Sequence, residues 1–186
     1  GDSERTLGKA RISGWKTVTK IPAIPESCQN LVEWVIKSTN DSLERLRISK
    51  LYGLLLHRPQ ELLGDSGQQL YSALQKCKYQ GLVQKIGISI YDPSELDAIL
   101  NRYPIDLIQA PFNVIDRRLE TTLSPAGGSW LDHLHESGVE IHVRSVFLQG
   151  LLLMQRNQRP EKFARWREFW NDWHNWLEEN HVSALQ

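Results

Sequence analysis

Cysteine is scarce: the 186-residue chain carries two, Cys28 and Cys77, far apart and in no metal-like spacing. A disulfide framework or zinc site therefore has no support, and a reducing, cytoplasmic setting is the expectation. Excess charge of either sign is missing too. Lys plus Arg equals Asp plus Glu at 22 each, which removes the broad positive field that non-specific nucleic-acid or anionic-membrane binding needs. A small, weakly charged partner fits better. The longest apolar stretch, around Leu151 to Met154, falls far short of the ~20 residues of a membrane helix. The opening GDSERTLGKA has no apolar signal region. No GxGxxG follows any apolar run, and Gly127-Gly128 opens a loop instead, which argues against an open dinucleotide-binding sheet. At this length a chain buries roughly 70% of its unfolded surface, so one domain with a real core is expected.

What the chain does have is alternation. Ser3 can cap a short helix over residues 4–11, and residues 15–21, with β-branched Thr17, Val18 and Thr19, follow as a strand before Pro22 and Pro25 break the chain. Leu31, Val32, Val35, Leu43 and Leu46 recur at helical spacing within residues 27–46, and Leu51–Leu56 is a continuous apolar strand. The pattern repeats as a helix over 68–79 stopped by Gly81, a strand over 85–90, a helix over 93–100 and a strand over 106–112. After a loop with Pro125, Gly127 and Gly128 come helix Trp130–Glu136 and a strand over 139–147. Five apolar strands separated by helices predict a parallel α/β sheet covered on its faces, either doubly wound or a (β/α)8 barrel. The missing glycine fingerprint favours the barrel.

Several of these strands end on one polar residue. LYGLLL stops at His57, TVTKIP holds Lys20, and the later runs deliver Ser89, Gln109 and Arg144. Strand C-terminal ends are where barrel enzymes keep their chemistry. Taken singly, Lys20 reads as a snorkelling lysine and His57 as a histidine satisfied by a backbone carbonyl. His133, His135 and His142 do not make a metal site, because helix positions two apart face different ways. Residues 161–179 carry Phe163, Trp166, Phe169, Trp170, Trp173 and Trp176 mostly three or four apart, which predicts a helix whose aromatic stripe serves packing or an interface.

Four segments, SLERLRISKLYGLLLHRP, KIGISIYDPSEL, IDLIQAPFNVIDRRL and VRSVFLQGLLL, in this order, resemble the aldo-keto reductases. The resemblance implies a (β/α)8 TIM barrel, incomplete here, with the five strands corresponding to the family's third to seventh and residues 1–186 forming a single partial barrel domain. GDSERTLG is similar to the segment that follows the family's catalytic tyrosine, which leads to the expectation of a DxAxxY segment directly before Gly1. Of the family tetrad of Asp, Tyr, Lys and His, Lys20 and His57 match the last two. Ser89 and Gln109 match positions that bind the nicotinamide carboxamide, although the usual asparagine after that serine is Ile90. Arg144 falls where most relatives place an aromatic that stacks on the nicotinamide, and a planar guanidinium can also stack. Ser145, Phe147 and Gln149 follow into the loop that passes along the pyrophosphate.

The implied activity is hydride transfer between NADP, or NAD, and an aldehyde, ketone or sugar carbonyl, without metal. Tyrosine supplies the proton; a free phenol has a pKa near ~10, and a lysine ammonium beside it favours the phenolate while a histidine orients the carbonyl. With the Asp and Tyr absent from the chain, the polypeptide by itself is expected to be inactive. The competing expectation is a non-catalytic, barrel-derived module that binds a nucleotide or a protein.

Overall fold

The computed structural model describes residues 1–186. Its frame is a five-stranded sheet of β1 (Val18–Ile21), β2 (Leu51–Leu56), β3 (Val83–Ser89), β4 (Leu107–Pro111) and β5 (Glu140–Arg144), each strand pairing in parallel with its sequence neighbour. Helices α1 (Asp2–Lys9), α2 (Leu31–Leu46), α3 (Gly67–Tyr79), α4 (Leu96–Leu100), α5 (Arg118–Thr121), α6 (Trp130–Glu136) and α7 (Arg167–Glu179) complete the order. This is the α/β architecture of an incomplete (β/α)8 barrel. The chain divides into two compact units, Gly1–Phe112 with Asp116–Arg144, and Asn113–Ile115 with Ser145–Gln186.

In the first unit one face of the sheet makes the core. Ile21, Leu54, Leu56, Ile86, Ile88, Ile108 and Ala110 cluster with Val35 and Leu46 of α2, Leu70 and Leu74 of α3, and Ile99 of α4. Each leucine, isoleucine or valine among them contributes about 1.5–3 kcal/mol on full burial. The opposite face is concave. A Cβ on Gly53 of β2 would lie 2.8 Å from Leu107 Cδ2 of β4 and 3.2 Å from Val18 of β1, so strands two apart nearly meet across it. Gly87 is tighter, since its Cβ would sit 2.0 Å from the Leu107 carbonyl oxygen. Curvature is helped by a bulge where β2 starts, the amides of Tyr52 and Gly53 both donating to Thr17 O at 2.9 and 3.3 Å.

Element boundaries shift from the sequence expectation for local reasons. β1 is shorter than 15–21, and Trp15 stands 79% exposed. α2 begins at Leu31 rather than near Ser27 because the Asn30 side chain caps it, accepting from Glu33 N at 3.2 Å. The last strand ends at Arg144, not at Phe147, since Ser145 turns to φ 59°. Residues 93–100 divide into a 3-10 turn, Pro93–Glu95, and α4.

The second unit holds 3-10 turns at Leu148–Leu153 and Glu161–Trp166 and then α7, so the single helix expected over 161–179 is broken at Trp166, whose φ is −107°. Its aromatic stripe packs in part. Trp170 is buried, Trp173 Nε1 donates to Leu152 O at 3.2 Å, and Trp166, Phe169 and Trp176 remain exposed. No helix of the chain is long and apolar enough to cross a membrane.

Candidate active site

The parallel register brings the polar strand ends to one rim of the first unit. Lys20 lies opposite Leu55 one residue before β1 ends, and His57 follows β2 immediately, its amide donating to Ile21 O at 3.2 Å. Ser89 closes β3 opposite Gln109 of β4, and Arg144 closes β5 opposite Pro111. Ser89 is buried, and its Oγ donates to Gln109 Oε1 at 3.4 Å. That contact uses the oxygen of the Gln109 amide and leaves its NH2 group without a protein partner, a donor set beside the serine acceptor as a primary carboxamide requires.

Lys20 and His57 are both exposed. The Lys20 ammonium makes no ion pair, and the His57 ring has no hydrogen-bond partner, so the backbone-satisfied histidine suggested by Pro59 is not what forms. Partial desolvation lowers the Lys20 pKa below the ordinary 10.5, and the positive charge of Arg144 lowers it further. In a flat sheet β1 and β5 would be about 19 Å apart by strand spacing. The concave curl makes their ends electrostatic neighbours. Lys20 also lines a cavity of about 350 Å³ with Glu4, Pro22 and the α2 residues Ser38, Ser42 and Arg45.

Arg144 is oriented from two sides. Its Nη2 donates to Ile90 O at 2.9 Å, and its guanidinium lies 4.3 Å from the centroid of the Tyr91 ring. Ile90 itself sends its side chain into the core at 0% exposure. Ile90 thus fills the core with its side chain and holds Arg144 through its backbone carbonyl. Ser145, Phe147 and Gln149 belong to the second unit; Ser145 and Gln149 both have φ 59°, and Ser145 O accepts from Asn113 Nδ2 at 3.1 Å.

A second polar group, with no signal in the residue pattern, lies at the opposite, N-terminal end of the strands. Glu140 Oε2 accepts from Tyr52 Oη at 2.5 Å and pairs with the Lys85 ammonium, while its Oε1 meets His142 Nε2 at 2.6 Å. Hydrogen bonds from Lys85, then Tyr52, hold the Glu140 carboxyl at about 2, overriding the upward pull of burial. His142 is half-buried in this group, and His133 packs edge-on against Trp130 at 5.6 Å. The three histidines do not converge, and no His, Cys, Asp and Glu cluster of the chain could hold a metal.

A parallel sheet of this order, with polar strand ends at its rim, defines an α/β barrel-type protein. The model of the aldo/keto reductase family matches residues 11–185, and the chain belongs to that family. No curated protein sequence matches it. Among solved structures it is similar to the holo form of the aldo-keto reductase AKR11C1 from Bacillus halodurans, at 25% identity and a TM-score of 0.66 over 85% of this chain and 52% of that one. The glycerol dehydrogenase AKR11B4 from Gluconobacter oxydans gives 19% identity and a TM-score of 0.70, covering 98% and 62% of the two chains. An aldo/keto reductase from Klebsiella pneumoniae, solved in complex with NADP and acetate, gives 19% and 0.67, covering 98% and 58%. The chain therefore spans between 52% and 62% of the length of these structures.

Proposed function

We propose that residues 1–186 form a single partial barrel domain of an NAD(P)H-dependent aldo-keto reductase acting on an aldehyde, ketone or sugar carbonyl. What carries the reading is the arrival of Lys20, His57, Ser89, Gln109 and Arg144 at the same ends of successive parallel strands, in a chain of this family. The cofactor supplies the hydride; NADP is the first expectation, with NAD possible. Ser89 and the NH2 group of Gln109 fit the two halves of its carboxamide, and the guanidinium of Arg144, fixed by Ile90 and Tyr91, offers a flat surface for its ring. Ser145, Phe147 and Gln149 are assigned to its pyrophosphate.

Lys20 is given the task of favouring the phenolate of a proton-donating tyrosine, and an ammonium already destabilised by crowding and by Arg144 gains most from such a partner. His57 would orient the carbonyl. The test is NADPH binding to the 186-residue polypeptide by fluorescence, with carbonyl reduction followed in parallel. The expected result is saturable binding weakened about tenfold in Gln109→Ala, without turnover, and turnover once the family's Asp and Tyr are supplied in a complete barrel. A complete barrel with another residue at the tyrosine position would favour the non-catalytic binding module instead.

A further inference from the structure

Arg144 stands at the position that, by resemblance, an aromatic side chain fills in most aldo-keto reductases. The two kinds of side chain are both flat, but they differ in charge. An aromatic face is electron-rich and attracts cations. A guanidinium carries a full positive charge that it does not give up. The nicotinamide ring is itself positive when oxidised and neutral when reduced, so the two stacking groups have opposite preferences between its forms.

The first unit holds this guanidinium in a defined plane. Arg144 closes β5 opposite Pro111 of β4, and its Nη2 reaches past the end of β4 to Ile90 O, just beyond β3, at 2.9 Å. The Tyr91 ring covers one of its faces at 4.3 Å. Tyr91 is fixed in turn by Glu95, whose Oε1 accepts from Tyr91 N at 2.7 Å and Asp92 N at 2.8 Å. Ile90 N donates to Gln109 O at 2.9 Å, so the carbonyl that anchors Arg144 belongs to a residue tied to the strand end proposed to hold the carboxamide. A planar cation has two faces. Tyr91 takes one, and a ring stacked on Arg144 takes the other.

Its charge is felt along the rim. Lys20, His57, Ser89, Gln109 and Arg144, the polar residues at the strand ends, include no carboxylate. Burial, and after it the positive charge of Arg144, lowers the Lys20 pKa. A second cation brought to stacking distance of Arg144 meets repulsion that a neutral ring does not, and the repulsion is stronger in a partly desolvated site than in water.

We infer that Arg144, given its place beside the nicotinamide in the proposed reductase site, makes that site select the reduced, uncharged ring over the oxidised, positively charged one. Once hydride has left the cofactor, the ring becomes a cation against a cation, and the spent cofactor is the weaker ligand.

The test titrates the full 186-residue chain with NADPH and with NADP⁺ by calorimetry. NADPH is expected to bind about tenfold more tightly. Any cation in the site favours the more negative reduced cofactor, so the deciding quantity is how the ratio of the two affinities changes with residue 144. Arg144→Gln, which keeps a planar donor and removes the charge, should shrink the ratio about fivefold. Arg144→Tyr, which supplies an electron-rich face, should bring it to about one or below. Urea unfolding reports whether each variant keeps its fold, and if Arg144→Gln does not, Arg144→Tyr decides. Binding of neither cofactor form would overturn the reductase site itself. Binding of both, with NADP⁺ as tight as NADPH in the unmodified chain or with the ratio unchanged in a folded variant, would overturn only the selection by Arg144.

Discussion

At the scale of single residues, Glu140 and Glu4 concentrate the electrostatics of the first unit. Glu4 accepts from Thr19 Oγ1 at 2.5 Å and Arg45 Nε at 2.6 Å; burial would raise its pKa, but hydrogen bonds, those of Thr19, Arg45 and Ser42 among them, bring it down to about 2. Both carboxyls take up a proton near 4.5 when unfolded and near 2 when folded. Their contribution is therefore complete above pH 4.5 and is lost as the pH falls toward 2. Glu140→Gln should lower stability at pH 7 by about 1–2 kcal/mol, and urea midpoints measured from pH 6 to pH 2.5 should fall less steeply than in the unmodified protein. In a complete, active barrel, Lys20→Met is expected to reduce kcat about 100-fold or more while NADPH affinity stays within about twofold, which stopped-flow turnover and cofactor titration together would check. Lys20, His57, Ser89, Gln109 and Arg144 were legible because each interrupts an apolar run. Tyr52 and Glu140 were not, since their bond joins residues 88 apart and exists only once the sheet curls.

Elements were legible where one periodicity persisted. All five strands lie where apolar runs predicted them, and α2 and α3 follow their apolar spacing. The misses are of termini and breaks. Asn30 sets the start of α2 at Leu31 by accepting from Glu33 N, and residues 161–179 keep a helical stripe across a turn that changes from 3-10 to α at Trp166. Close strand packing was also hidden, because a glycine within an apolar run does not announce what it faces. Gly87→Ala should be the costlier change, about 3 kcal/mol by chemical denaturation, as its methyl meets the Leu107 backbone. Gly53→Ala should cost about 1 kcal/mol, because the Leu107 side chain it meets can rotate. Equal losses would mean that the sheet, not the side chain, absorbs both methyls.

For the whole molecule, the order β1-β2-β3-β4-β5 leaves β1 and β5 with one strand neighbour each. Open parallel edges template association. The polypeptide of 186 residues, expressed by itself, should self-associate at micromolar concentration, seen as a mass above 21.5 kDa by light scattering; a sharp monomer peak would contradict this. The same strand order has a kinetic side. Successive partners are close along the chain, as with Val18 and Gly53, Leu51 and Val83, Gly87 and Leu107, and Leu107 and Glu140. Each new strand finds its partner already made, across a loop of roughly one helix, whose closure entropy is modest. Among these five strands the sheet can therefore grow in one direction as the chain leaves the ribosome, each strand pairing with the one made just before it.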